Sequence, residues 1–231
     1  MRSGFVSLIG RPNVGKSTLL NAIINEKVAI TSRVAGTTRN IIQGIYHEPD
    51  YQIVFMDTPG IIRPMNKLGK ITNKQAISLV KDIDVLLFVV DASTGLGSVD
   101  KFIMDVLKKT NAQVFLVLNK IDKISKEDIL YNINEYKDLY PFAEIIPVSA
   151  LSRDNVNHLI DVIKTYLKDD IKYFPDDVKT SNSEYFMISE IVREKLFDVT
   201  LEEIPHSLTC HTTFYEEKKD LIEVHVDIIV D

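Results

Sequence analysis

The sequence predicts an α/β fold: a mostly parallel six-stranded sheet with one antiparallel edge strand, followed by a partial α+β segment. Three observations carry that reading. From residue 5 to about 168, short apolar runs alternate with stretches of helical periodicity, which implies βα crossovers. One pair of runs, Ile41–Tyr46 and Tyr51–Met56, is joined only by His47-Glu48-Pro49-Asp50 and demands an antiparallel hairpin at the sheet edge. After Leu167 the alternation stops.

Phe5–Ile9, Ile53–Met56, Val85–Val90, Val114–Leu118 and Ile145–Val148 are β-branched or aromatic runs with no polar alternation. Such runs are strands buried on both faces. Between them Ser17–Ile24, Lys67–Val80, Ser98–Lys109, Lys126–Leu139 and Asp154–Leu167 carry apolar residues at helical spacing; Leu159, Val162, Ile163 and Tyr166 show the stripe most plainly. Lys168–Ser183 is polar, contains Pro175 and reads as a linker. A helix over Glu184–Phe197 follows, with Phe186, Ile188, Ile191 and Leu196 as expected core positions, then strands Ser207–Tyr215 and Leu221–Val230 joined by Glu216–Asp220. The expected division is 1–168, a linker 169–183, and a segment 184–231 too small to be a stable domain by itself, because a lone hairpin is marginal in water.

Composition narrows the function classes. The 231 residues include 27 basic and 33 acidic side chains, a net charge of −6, with 45% hydrophobic and 26% charged residues. That excludes a mainly disordered chain and a binder relying on overall positive charge. Cys210 is the only cysteine, so no internal disulfide forms and a reducing compartment fits. Runs such as Val85–Val90, bounded by Asp84 and Asp91, fall far short of a membrane span. The opening MRSGFVSLIG has no long apolar region and reads as lacking a signal peptide, so a cytoplasmic protein is expected. His47, His158, His206, His211 and His225 share no metal-ligand spacing, and Cys210 and His211 on one strand point opposite ways. Met65 and Met104 read as helix-packing residues.

Three motifs carry chemistry. Gly10-Arg-Pro-Asn-Val-Gly-Lys-Ser-Thr18 fits G-x-x-x-x-G-K-[ST], between a strand and a helix. Gly10 and Gly15 let the backbone curl so that successive N–H groups through Asn13, Val14 and Thr18 face one cavity, and the helix opening at Lys16 adds its positive dipole end. Lys16 reaches the outer phosphates of a triphosphate and Ser17 a Mg²⁺ ion. Asp57-Thr-Pro-Gly60 ends the strand Ile53–Met56, at the sheet edge where ligands bind, so Asp57 can hold a Mg²⁺ water and the Gly60 N–H can contact a γ-phosphate. By itself D-x-x-G reads equally well as a turn; after a phosphate loop it reads as function.

Asn119-Lys-Ile-Asp122 also follows a buried strand. Guanine presents two parallel donors that one carboxylate accepts together, so Asp122 selects guanine and opposes an ATPase reading. Asn119 ties this loop to the phosphate loop, the Lys120 stem covers the base, and Ser149-Ala150 brings a backbone N–H toward guanine O6.

These elements in order, with Gly36-Thr-Thr-Arg39 between the first two and Ser149-Ala-Leu151 last, resemble the translation-factor-type GTPases, and Asn13 with Thr37-Thr38-Arg39 resembles the Era-related branch. Ser189-Glu-Ile-Val-Arg-Glu-Lys-Leu196 and Glu203-Ile-Pro-His-Ser207 resemble the junction between the GTPase domain and the KH domain of the Era family. The resemblance covers the whole chain. It implies a P-loop GTPase domain followed by a KH-like segment, slow GTP hydrolysis with Lys16, Thr38 and Gly60 at the γ-phosphate, and Mg²⁺ on Ser17, Thr38 and Asp57. It further implies K⁺ beside Asn13, small-subunit ribosomal RNA as partner, and peripheral contact with the inner membrane.

Two departures stand out. Ile61 follows Gly60 where many GTPases carry a Gln that orients water, and an aliphatic side chain cannot do that. No G-x-x-G loop occurs between Glu184 and Asp231, so the KH-like segment is expected to be truncated or degenerate and to bind RNA poorly.

Overall fold

The computed structural model describes residues 1–34, 36–62, 71, 73–74, 76–77, 83–200 and 207–230. Six strands, β1 (Arg2–Ile9), β2 (Ile42–Glu48), β3 (Tyr51–Asp57), β4 (Val85–Asp91), β5 (Gln113–Asn119) and β6 (Glu144–Pro147), form one sheet in the order β2-β3-β1-β4-β5-β6. Only β2 runs antiparallel, paired to β3 across the short Pro49 turn. Among the described residues the helices α1 (Lys16–Ile24), α2 (Ser98–Leu107), α3 (Lys126–Lys137) and α4 (Val156–Lys164) flank the sheet. The expected Lys67–Val80 helix falls largely outside the described residues, although Ile71, Asn73, Lys74, Ala76 and Ile77 are helical; Met65 and the 203–206 stretch lie outside them entirely.

The unbroken apolar strands explain the two-faced core. Along each central strand, successive side chains go to opposite faces. Val85, Leu87, Val89, Phe115 and Val117 pack with Leu19, Leu20, Leu159 and Ile163 of α1 and α4. Leu86, Phe88, Val90, Leu116 and Leu118 pack with Ile103, Met104, Leu107 and Tyr136 of α2 and α3. Parallel register brings Leu8 opposite Asp57 and Asp91 opposite Asn119, so the strand ends that carry the motifs emerge side by side.

The polar stretch 168–183 is strapped along the sheet rather than hanging free. Ser3 and Asp169 exchange backbone hydrogen bonds of 2.7 and 3.2 Å, and Gln52 accepts the Tyr173 and Phe174 N–H groups at 2.7 and 3.0 Å. The Ile45 N–H on edge strand β2 finds the Lys179 carbonyl at 2.8 Å, which satisfies a group that an exposed edge would leave unpaired.

Helix α5 (Glu184–Val199) then leads to the ribbon β7 (Leu208–Lys218) and β8 (Leu221–Val230). The expected Glu216–Asp220 loop is shorter than its charge suggested. Both strands run up to a two-residue turn at Lys219–Asp220, and Lys218 bridges Glu216 and Glu223 across the ladder at 3.0 and 2.8 Å. Backbone pairing is indifferent to side-chain charge at a solvated ribbon end. The inward face of α5 also differs from the apolar stripe expected: Ile191 is exposed, whereas Ser189, Glu190, Arg193, Glu194 and Phe197 are buried. Phe197 and Leu196 of this helix pack with Ile30 and Leu208, and its buried polar residues add the hydrogen bonds described below. Among the described residues no helix is long and apolar enough to cross a membrane.

Candidate functional site

The loop between β1 and α1 wraps a cavity of about 300 Å³ lined by Asn13, Gly15, Lys16, Ser17, Thr31, Thr38, Gly60 and neighbours. Its curl needs glycine at Gly15, where φ is 95° and an added Cβ would lie 2.3 Å from the Asn119 amide nitrogen. At Gly60 a Cβ would sit 2.6 Å from the Pro12 nitrogen, so the Asp57–Gly60 loop packs directly on the phosphate loop, and the Ile61 N–H donates to the Gly10 carbonyl at 3.0 Å. No side chain caps the α1 N-terminus and no acidic residue occupies its first turn. Its N–H groups and positive dipole end therefore face the cavity, an anion site by construction.

Lys16 is only 6% exposed, its ammonium lying 3.1 Å from the Arg11 carbonyl and 3.4 Å from that of Gly10. Burial lowers its pKa, and Asp57 opposes that shift. Three oxygens converge next to it. Ser17 Oγ donates to Asp57 Oδ2 at 2.5 Å and lies 3.0 Å from Thr38 Oγ1, which is 3.5 Å from the same carboxylate oxygen. Asp57 is fully buried, and among the described residues its Oδ1 has no hydrogen-bond partner. An unpaired buried carboxylate oxygen beside two hydroxyls suits a hard cation that takes oxygen ligands. The residues expected to hold Mg²⁺ thus fit it.

Burial raises the Asp57 pKa, against the pull of Lys16 and the hydroxyl hydrogen bonds. A carboxyl group with a folded-state pKa above its unfolded value favours the fold when protonated, and that contribution fades as pH rises through the raised pKa. In the nucleotide-free protein, Asp57→Asn should therefore lose stability relative to the parent as pH falls from about 7 toward about 4 in urea denaturation. A flat or opposite trend would show that Asp57 is not held in this desolvated state.

The element Thr37-Thr38-Arg39 divides its work. Thr37 Oγ1 donates to the Val34 carbonyl at 2.7 Å, Thr38 joins the Ser17–Asp57 group, and Arg39 donates to the Leu208 carbonyl at 2.8 Å. The Asn13 amide donates to the Arg33 carbonyl at 2.9 Å, linking the phosphate loop to this same segment. Ile61 is buried in the core with Ile9 and Phe88, so its side chain is directed away from any attacking water.

Asn119 sits in the middle of three loops: its amide donates to Val14 O at 2.9 Å and its Oδ1 accepts the Ala150 N–H at 3.0 Å. Asp122 is exposed, with Oδ1 accepting from the buried Ser149 hydroxyl at 2.5 Å. The Ser149 N–H goes to the Asp154 carbonyl at 3.0 Å, so both N–H groups of Ser149-Ala150 already have protein acceptors. A contact of one of them with guanine O6, as expected from the sequence, would share or replace an acceptor that it has here; the segment also braces Asn119 and Asp122.

Sequence reasoning missed Asp91. Lys120, in a left-handed conformation, places Nζ 2.6 Å from both the Asn13 carbonyl and Asp91 Oδ2. Burial works against ionisation of Asp91, but Lys120 and the Ser93 hydrogen bonds outweigh it and hold the carboxyl below its ordinary range. The only signal available was its position at the end of a buried strand. Arg193 and Glu194 of α5, which contact Thr37 and Thr31, stood within the Ser189–Leu196 motif, but nothing in the sequence pointed to these contacts.

Comparison with known proteins places this geometry. Residues 5–120 match the 50S ribosome-binding GTPase family. A crystal structure of Era in complex with MgGDPNP and nucleotides 1506–1542 of 16S ribosomal RNA is 38% identical, with a TM-score of 0.95, covering 100% of this chain and 80% of that one. An Aquifex aeolicus Era variant bound to GDP and AlF4⁻ is 37% identical over the same shares, with a TM-score of 0.94. A probable GTP-binding protein, engB, is 25% identical with a TM-score of 0.55, covering 69% of this chain and 96% of that one.

Proposed function

The chain belongs to the Era family of GTPases, and from that premise we propose that it binds GTP and hydrolyses it slowly, as a switch in small-ribosomal-subunit assembly or ribosomal RNA maturation. The observation that carries this reading is the convergence of Ser17, Thr38 and Asp57 beside the buried Lys16, at the mouth of a phosphate loop held to the Asn119–Asp122 loop. Lys16 offsets charge on the outer phosphates, the α1 N-terminus binds their oxygens, and Thr38 with the Gly60 N–H distinguishes triphosphate from diphosphate. Ser17, Thr38 and Asp57 would hold Mg²⁺, which when bound neutralises charge on the phosphate oxygens. Asp122, preset by Ser149, selects guanine.

Residues 1–168 form the nucleotide domain in this reading, 169–183 the connection, and 184–231 a KH-like segment that holds no G-x-x-G loop and is expected to meet RNA only weakly. The Era complex with 16S ribosomal RNA supports that partner. A cytoplasmic location, with peripheral contact at the membrane, goes with the same reading.

With Ile61 in the core, no side chain at that position orients water. Hydrolysis then depends on charge supplied by K⁺ beside Asn13 or by a partner. The same observation favours one alternative, a GTP/GDP-dependent assembly module that does not hydrolyse. Phosphate release followed over hours decides. We expect release from GTP and not ATP, faster in K⁺ than in Na⁺ buffer. Equal rates remove K⁺ from the mechanism, and tight GTP binding without release leaves the assembly module. Equal treatment of GTP and ATP would overturn the assignment as a whole.

A further inference from the structure

Thr31 and Thr37 are pinned from outside the nucleotide domain. Glu194 Oε1 accepts the Thr31 N–H at 2.9 Å while its other oxygen meets Lys27. Arg193 Nη2 donates to the Thr37 carbonyl at 2.8 Å. Arg193 is 2% exposed; Glu190 grips its Nε at 2.9 Å and its Nη2 at 2.5 Å, and the guanidinium lies 5.1 Å over the Phe197 ring. A buried Arg–Glu pair is a weak source of stability, because desolvation consumes most of the attraction. What this pair does possess is a fixed direction, since a planar fork held at two points has little freedom left.

That direction matters because the Thr37 carbonyl and the Thr38 N–H belong to one rigid peptide plane. Holding the oxygen sets the plane, and the plane sets where Thr38 starts. From there the Thr38 hydroxyl lies 3.0 Å from Ser17 Oγ and 3.5 Å from Asp57 Oδ2. We propose that Arg193, oriented by Glu190, is a positioning residue for Thr38, so that helix α5 sets how strongly the nucleotide site prefers a triphosphate with Mg²⁺ over a diphosphate. The inference rests on the reading of Thr38 given under Proposed function.

By reciprocity, whatever moves α5 changes triphosphate affinity, and triphosphate binding steadies α5 by the same factor. A merely structural Arg193 would behave differently: its loss would weaken every nucleotide alike or only lower the melting temperature.

Calorimetric titration of the full chain with GDPNP and GDP, in Mg²⁺ and in EDTA, separates the two roles. The variants are Arg193→Lys, Glu190→Gln, Thr38→Ala and the Arg193→Lys/Thr38→Ala double variant. Arg193→Lys should weaken Mg·GDPNP about tenfold and GDP less than about twofold. In EDTA the difference should vanish. Glu190→Gln should act in the same direction by a smaller factor, and it carries the test if Arg193→Lys does not melt cooperatively. In the Thr38→Ala background, Arg193→Lys should add less than about twofold, because its route has been removed. Equal weakening of GDPNP and GDP, or a full effect persisting without Thr38, overturns the inference. If Thr38→Ala weakens Mg·GDPNP while both α5 variants bind normally, the inference alone falls. Unchanged Mg·GDPNP affinity in Thr38→Ala removes Thr38 from the metal site and takes this inference with it.

Discussion

Asp122→Asn is expected to abolish the preference for guanine, lowering GTP affinity by on the order of 10⁴ and raising that for xanthosine triphosphate. In the proposed reading the carboxylate of Asp122 would accept where guanine N1–H and its amine donate side by side. An amide there turns one of its two faces into a donor and meets a donor head-on, whereas xanthine, with a carbonyl in place of the amine, matches it. The geometry makes the effect large because the acceptor is preset. Ser149, fully buried, donates to Oδ1 at 2.5 Å and accepts the Ser152 N–H at 3.2 Å, and the turn that carries Asp122 starts from the left-handed Lys120. Little rearrangement remains to be done when a base arrives. Competition titration with GTP, xanthosine triphosphate and ATP reads the outcome, and undiminished GTP affinity would remove Asp122 from base recognition.

Lys16→Ala should reduce phosphate release from GTP by at least about 10²-fold, the cost of removing one preorganised charge from a phosphoryl-transfer site. The ammonium is confined: it is almost inaccessible and lies against the carbonyls of Gly10 and Arg11 in its own loop. Burial already lowers its pKa, so its proton is held in part by Asp57. A phosphate entering the loop supplies the counter-charge that the site otherwise draws from that carboxylate. Arg at this position should not rescue, since a guanidinium fork is broader than the slot an ammonium occupies. Release above about a third of the parent rate, at saturating GTP, would show that Lys16 is not the principal charge at the γ-phosphate.

Much of this site was legible in the residues because its parts are local. Gly15, Lys16 and Ser17 lie on a loop whose shape follows from glycine spacing and a helix start; Asp57 and Asn119 each end a strand whose apolar run is unmistakable, and Asp122 lies in the turn just after the second. The sheet order places those ends together, as parallel crossovers require. Less was legible where a side chain's partner is remote. Asp91 looks like any strand-end acid until the register with β5 brings Lys120 beside it. The N–H groups of Ser149 and Ala150 look available until Asp154 and Asn119 are seen to take them.

Helix α5 marks the boundary most clearly. Its apolar residues suggested an ordinary core-facing helix, yet Ile191 faces solvent and the buried side holds Glu190, Arg193 and Glu194. Arg193 finds its partner at Thr37 and Glu194 at Thr31 and Lys27, more than 150 positions away along the chain, while Glu190 orients Arg193 from within the helix. Periodicity and motif spacing report what neighbouring residues can do together, so the α/β architecture and the phosphate-loop motif could be read from the amino-acid order, and with them Asp122 as the acid proposed to select guanine. Which buried polar groups are paired, and with what, depends on surfaces that meet only after the chain has folded. Burial makes an unpaired charge costly, and so the tertiary structure alone decided that α5 grips the segment carrying Thr38.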